Sequence, residues 1–182
     1  MYYEDLELCR YHRGPLHADS WCVPLRAIGW LESGHPYNRG PLPTSLAERV
    51  NAHIDRAEKV FQHYHFRGLH DCTLCEPGHE NARLARSHIN LLIPSKRMVF
   101  ACPAAIIHYL TVHSYAPPTE FVSAVQECPQ YGSPQYFEAL RESNDGHPVP
   151  LVTWDEMLIE QRKETAELIR RRKARLDTAP KE

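Results

Sequence analysis

Two cysteines three residues apart, Cys72 and Cys75, stand in the stretch GLHDCTLCEPGHE at 68–80, and two histidines five apart, His108 and His113, stand in HYLTVH at 108–113. A Cys-x2-Cys turn can aim two thiolates at one ion, and His-x4-His falls within the x3 to x5 spacing that completes such sites from the end of a helix. The chemistry implied is coordination of Zn2+ by Cys72, Cys75, His108 and His113. Four protein ligands would close a tetrahedral shell and leave no position for water, which makes a metal that folds the chain. Two other readings of the cysteine pair are a redox dithiol and two inert buried thiols. The redox form expects the pair to open a helix in a βαβ unit, and EPGHEN after Cys75 does not start a helix cleanly. One geometric obstacle stands against the histidine pair. Five residues on a regular helix set His108 and His113 about 140° apart, so the helix must loosen or end by His113, which the following SYAPP favours. Otherwise His70 or His35 must take one place, and His70, two residues from Cys72, is the better substitute.

The elements that must position these residues are legible in the periodicity. Residues 1–24 show no clear repeat, are punctuated by Pro15 and Pro24, and read as an irregular arm. From Leu25 a strand-like piece with Ile28, Trp30 and Leu31 ends in a Gly/Pro/Asn-rich turn at 34–40. Leu46, Val50, Ile54, Ala57 and Phe61 recur at helical spacing after Thr44 or Ser45, so a helix is expected over about 45–64. Two short strands, 88–93 and 97–102, joined by a tight Pro-Ser-Lys turn, read as a hairpin. Pro103 suits the first position of a helix that carries the two histidines until Pro117 and Pro118 force its end. Further helices are expected from Thr119 to before Pro129, over Ser133 to Leu140, and from a Thr153 cap to about Leu176. The fold class is α+β: a small single domain with a β-hairpin, several helices and a zinc-knuckle-like core, of the finger or treble-clef kind. Its parts are the arm 1–24, a zinc-binding α+β domain 25–150 and a charged carboxy-terminal helix 151–182.

Bulk properties restrict the function. At 182 residues, 42% hydrophobic and 24% charged, the composition is that of a soluble globular domain. A net charge of −2 gives no global attraction to nucleic acid or an anionic membrane. The acidic start MYYEDLE is unlike a signal peptide, and no apolar run approaches a membrane span, so a cytoplasmic location is expected. In that compartment six cysteines are metal, redox or core residues before they are disulfides. Cys102 and Cys128 read as small buried hydrophobes. The basic run Arg170 to Arg175 reads as a solvated helix face supported by Glu160/Lys163 and Glu167/Arg171 pairs.

Three segments, AIGWLESGHPYNRG at 27–40, GLHDCTLC at 68–75 and VFACPAAIIHYLTVHSYAPPTEFVSAV at 99–125, together resemble a family of uncharacterised bacterial proteins. The shared pattern is Gly-x-His-x-Cys-x-x-Cys, then Ala-Pro, an apolar stretch, His-Tyr, a further His and Tyr-x-Pro-Pro-x-x-Phe. Here it falls on His70, Cys72, Cys75, His108, Tyr109, His113, Tyr115, Pro117, Pro118 and Phe121. Cys102 stands where the family pattern has Ala, so the resemblance implies that Cys102 is not a required ligand. It adds Trp30, His35 and His70 to the residues of interest and supplies no activity.

The expected function is a zinc-stabilised binding or scaffold module for an unidentified protein or small-molecule partner. The alternative is a small metalloenzyme in which three protein ligands leave a position for a nucleophilic water, with Glu32, His35, Glu76 or Glu120 as general base. No metalloprotease, deaminase or hydrolase motif accompanies those residues. Nucleic-acid binding ranks third, because the hairpin turn offers only Lys96 and Arg97 as basic residues.

Overall fold

A computed structural model of the protein describes residues 1–10, 20–65, 70–76, 78–80, 82–84 and 88–177. It divides into two compact units, Met1–Leu151 and Val152–Glu182.

The first unit is built on a three-stranded sheet of β1 (Leu25–Ala27), β4 (Asn90–Ser95) and β5 (Met98–Pro103), in the order β1-β5-β4. β4 and β5 form the expected antiparallel hairpin, with Leu91 opposite Cys102 and Ile93 opposite Phe100. Both strands are buried on four successive residues, which is why they read as continuous apolar runs instead of alternating. The turn is Lys96–Arg97, two residues beyond the expected position, because Pro94 belongs to β4 and pairs with Val99. A proline is tolerated there because β4 is an edge strand. Its outer edge is not left bare: Leu92 donates its N–H to the Tyr131 hydroxyl at 2.9 Å and accepts from the Tyr136 hydroxyl at 2.8 Å. β1 pairs in parallel with β5 across a long crossover, Leu25 opposite Val99 and Ala27 opposite Ala101.

The amino-terminal segment runs alongside β1. Leu6 and Cys9 donate to the carbonyls of Ala27 and Leu25, and Ala27 donates to Glu7. Cys9 is buried.

Helix α1 (Thr44–Val60) buries Leu46, Val50, Ile54 and Ala57 as its spacing requires, and a 3-10 turn, Gln62–Tyr64, follows it. Helix α2 (Ile106–Val112) starts three residues later than expected, because Pro103 pairs with Asn90 and closes β5. Helix α3 (Thr119–Glu127) buries Phe121, Ala124 and Val125. Helix α4 (Pro134–Ser143) has Ser133 as its cap, accepting from the Tyr136 N–H at 3.2 Å, with Pro134 in the first turn. A second sheet, absent from the sequence expectations, pairs β2 (His70–Asp71) antiparallel with β3 (Arg83–Leu84).

The second unit is the single helix α5 (Trp154–Asp177). Thr153 and Glu156 form a reciprocal capping box, the Glu156 N–H to Thr153 Oγ1 at 3.2 Å and the Thr153 N–H to Glu156 Oε2 at 2.8 Å. No helix among the described residues is long and apolar enough to cross a membrane.

Candidate metal centre

The cysteine knuckle hangs between β2 and β3. Cys72 extends that ladder by donating its N–H to Ala82 at 2.6 Å, and Cys75 lies just past the turn at Thr73 and Leu74. From the other side, the Ser33 N–H donates to Thr73 Oγ1 at 2.9 Å, tying the knuckle to the turn after Leu31.

The histidines come from the end of α2, and the way that end is built removes the 140° obstacle. His108 lies inside the helix, whereas His113 is its terminal residue, with φ −106° and ψ 5°. Ser114 then takes the left-handed conformation at φ 53°. The chain doubles back, so that the Tyr109 carbonyl accepts from both His113 at 3.2 Å and Tyr115 at 3.0 Å. Residues 38–40 brace this turn: Arg39 bridges to Tyr115, Gly40 donates to Ser114 and Ala116 donates to Asn38. Tyr115 is fully buried, and its hydroxyl donates to Asp5 Oδ1 at 2.7 Å, an oxygen that also accepts from the Gly29 N–H at 3.1 Å.

Cys72, Cys75, His108 and His113 converge, with their donor atoms all within 4.8 Å of one another. His113 Nε2 lies 3.3 Å from Cys72 Sγ, 3.4 Å from Cys75 Sγ and 3.1 Å from His108 Nε2, and His108 Nε2 lies 3.4 Å from Cys75 Sγ. A tetrahedral zinc with bonds of about 2.3 Å to sulfur and about 2.05 Å to nitrogen would hold sulfur and nitrogen about 3.6 Å apart and two nitrogens about 3.3 Å apart. The cluster therefore has the dimensions of a single-ion site and could bind a metal ion. Cys72 is buried, while Cys75, His108 and His113 are partly exposed.

The electrostatics suit ligation. Burial pushes the pKa of His108 and of His113 below the ordinary histidine range, helped at His108 by His113 and at His113 by the Arg39 guanidinium. Neutral imidazole is the ligating form. Burial, and then the neighbouring Cys72, push the Cys75 thiol up, so an ion entering the site would have to displace its proton.

Other residues singled out in the sequence have different positions. His35 stacks on the Tyr2 ring at 3.8 Å between centroids, and it is not among the four converging residues. His70 begins β2, but its side chain lies outside the described residues. Glu32 lies 3.3 Å from the amino terminus, Glu76 is exposed, and Glu120 sits in the first turn of α3. Trp30 is buried and donates its indole N–H to the Ala101 carbonyl at 3.0 Å. Cys102 and Cys128 are buried. His79 lies close enough to both His108 and His113 to depress their pKa values, a neighbour that the knuckle sequence contains but its spacing does not mark.

A family model described as a domain of unknown function, DUF7919, matches residues 1–126. The chain belongs to this family. The DUF7919 segment contains all four converging residues and ends inside α3. It also begins at residue 1, so the amino-terminal arm, which the sequence resemblance left outside, is part of the family domain. No curated protein and no solved structure matches the chain.

Proposed function

We propose that the DUF7919 domain of this protein binds one zinc ion through Cys72, Cys75, His108 and His113, and that the ion is structural, holding the knuckle to the end of α2 in a binding module. The observation that carries this reading is the crowding at His113 Nε2, which has three other donor atoms within 3.4 Å. A ring nitrogen has one hydrogen or one lone pair and cannot satisfy three partners by hydrogen bonding. A shared cation satisfies all four groups at once. Zinc is the ion that fits a set of two thiolates and two imidazoles. Elemental analysis of tag-free protein prepared in reducing buffer should give close to one zinc per chain, and protein without any transition metal would defeat the proposal.

The partial exposure of Cys75, His108 and His113 supports a second reading, in which water takes one position and the ion is catalytic. Cobalt substitution separates the two. An absorption spectrum of four-coordinate cobalt with two thiolates and no response to added anions supports the structural role, and a spectrum perturbed by anions supports an open site.

A further inference from the structure

On the reading that Cys72, Cys75, His108 and His113 bind zinc, we propose that Asp5 is a positioning residue of the metal centre, holding the turn that anchors the cysteine knuckle against the end of α2 that carries His113. Each half of the centre has its own support. The knuckle is tied at Thr73 to Ser33, in the turn after Leu31. His113 is set by the doubled-back end of α2, where Tyr115 donates to the Tyr109 carbonyl at 3.0 Å. Asp5 joins the two supports through one atom. Its Oδ1 accepts from the Gly29 N–H at 3.1 Å, four residues before Ser33, and from the Tyr115 hydroxyl at 2.7 Å, two residues after His113. The acceptor is a half-buried carboxylate oxygen, so these bonds are charge-assisted and stronger than neutral ones. The Tyr109 hydroxyl also reaches this turn, at the Leu31 carbonyl, but over 3.5 Å, where a hydrogen bond contributes little.

The backbone is bent to deliver that oxygen. Glu4 to Glu7 form a turn in which the Glu7 N–H donates to the Glu4 carbonyl at 3.0 Å. Leu6, at its third position, has φ 68°, a left-handed conformation that glycine or asparagine usually supplies. A leucine there is strained, and such strain persists where the surroundings fix the chain on both sides. Here Tyr3 donates to the Trp30 carbonyl at 3.3 Å before the turn and sets its ring edge-on to Trp30, while Leu6 and Cys9 bond to β1 after it. The donor at the other end is shaped to match. Gly29 has φ 69°, and a Cβ on it would come within 3.0 Å of the side chain of Ile106, the first residue of α2, so glycine lets this N–H sit close against that helix.

Release of zinc from the full-length, zinc-loaded protein to excess chelator, followed with a zinc-responsive dye well below the melting temperature, tests this. Asp5→Ala and Tyr115→Phe should each speed release about tenfold. The double variant should release no faster than Asp5→Ala, because both changes break the same link. Asp5→Asn, which keeps an oxygen for both donors, should stay within about threefold of wild type. Leu140→Ala, which empties a buried site in α4 and lowers the melting temperature, should release zinc at the wild-type rate and so separates positioning from general stability. Should Asp5→Ala fail to fold, Tyr115→Phe carries the same expectation. Unchanged release in Asp5→Ala and Tyr115→Phe overturns the role of Asp5 and leaves the zinc site standing, as does release that rises equally in Leu140→Ala for an equal loss of melting temperature. Wild-type protein that holds no zinc overturns the zinc reading, and the role of Asp5 with it.

Discussion

His113 Nε2 has three candidate partners and the chemistry to satisfy only one without a cation, so substitutions around it separate a metal site from a hydrogen-bonded cluster. Cys72→Ser and Cys75→Ser should abolish stoichiometric zinc and lower the melting temperature sharply, because the ion's binding free energy is folding free energy. Cys102→Ala and Cys128→Ala, which remove only a small buried group, should cost about 1 kcal/mol and keep the metal. His108→Ala and His113→Ala should lose metal, while His35→Ala, which removes a ring stacked on Tyr2, should retain it. Metal content and melting temperature of the seven variants provide the check. A different residue sets a pH dependence. His53 is buried in α1, and its Nε2 has no hydrogen-bond partner among the described residues. Burial holds its pKa below the ordinary histidine range, against a hydrogen bond at the Val125 backbone that raises it. A depressed histidine pKa means that the unfolded chain takes up a proton before the folded one. The stability concerned is fully present above the unfolded pKa of about 6.5 and is lost as pH falls below it. His53→Gln should therefore flatten the fall in urea midpoint between about pH 7.5 and about pH 5.5 relative to wild type.

At the scale of elements, the end of α2 decides whether the two histidines can meet. Ser114 holds the left-handed turn at φ 53°, a conformation that β-branched residues resist and glycine accepts. Ser114→Val should cost roughly 1–2 kcal/mol and weaken zinc retention against a chelator, whereas Ser114→Gly should leave both unchanged or slightly improved. Chelator competition followed with a zinc-responsive dye measures the difference. This turn also marks what could be read from the sequence. The spacing singled out the four converging residues but, with its 140° obstacle, kept His70 and His35 open as substitutes, whereas α1, α3, α4 and the hairpin were legible because each has a periodic apolar face or a cap. What settles the 140° obstacle was less visible. The left-handed residue is a serine, not the glycine that usually announces such a turn, and its brace comes from residues 38–40, far away in sequence. The β2–β3 pair was missed because two-residue strands have no periodicity to detect. The turn of the hairpin was misplaced because Pro94 reads as a breaker until the strand is known to lie at an edge.

At the scale of the molecule, Met1–Leu151 holds every residue of the candidate centre, and Val152–Glu182 forms a unit of its own. A chain ending at Leu151 should therefore fold and bind zinc with the stoichiometry of the full protein. Loss of the metal in that shortened chain, measured by elemental analysis, would show that the second unit takes part in the site. The sequence expectation drew its parts as an arm over 1–24, an α+β domain over 25–150 and a charged helix over 151–182. It gave no sign that β1 would pair in parallel with β5, because a three-residue strand says nothing about which later strand it will join.

That parallel pairing also sets a timetable. Leu25 must wait for Val99, and at synthesis rates of about 5–20 residues per second the wait is roughly 4 to 15 s. During it the thiols of Cys72 and Cys75 are made well before either histidine emerges. A nascent chain could hold a metal only loosely by its two sulfurs until the doubled-back end of α2 arrives, so under the proposed zinc site capture of the ion would precede the arrival of α3 and α4, which finish the first unit.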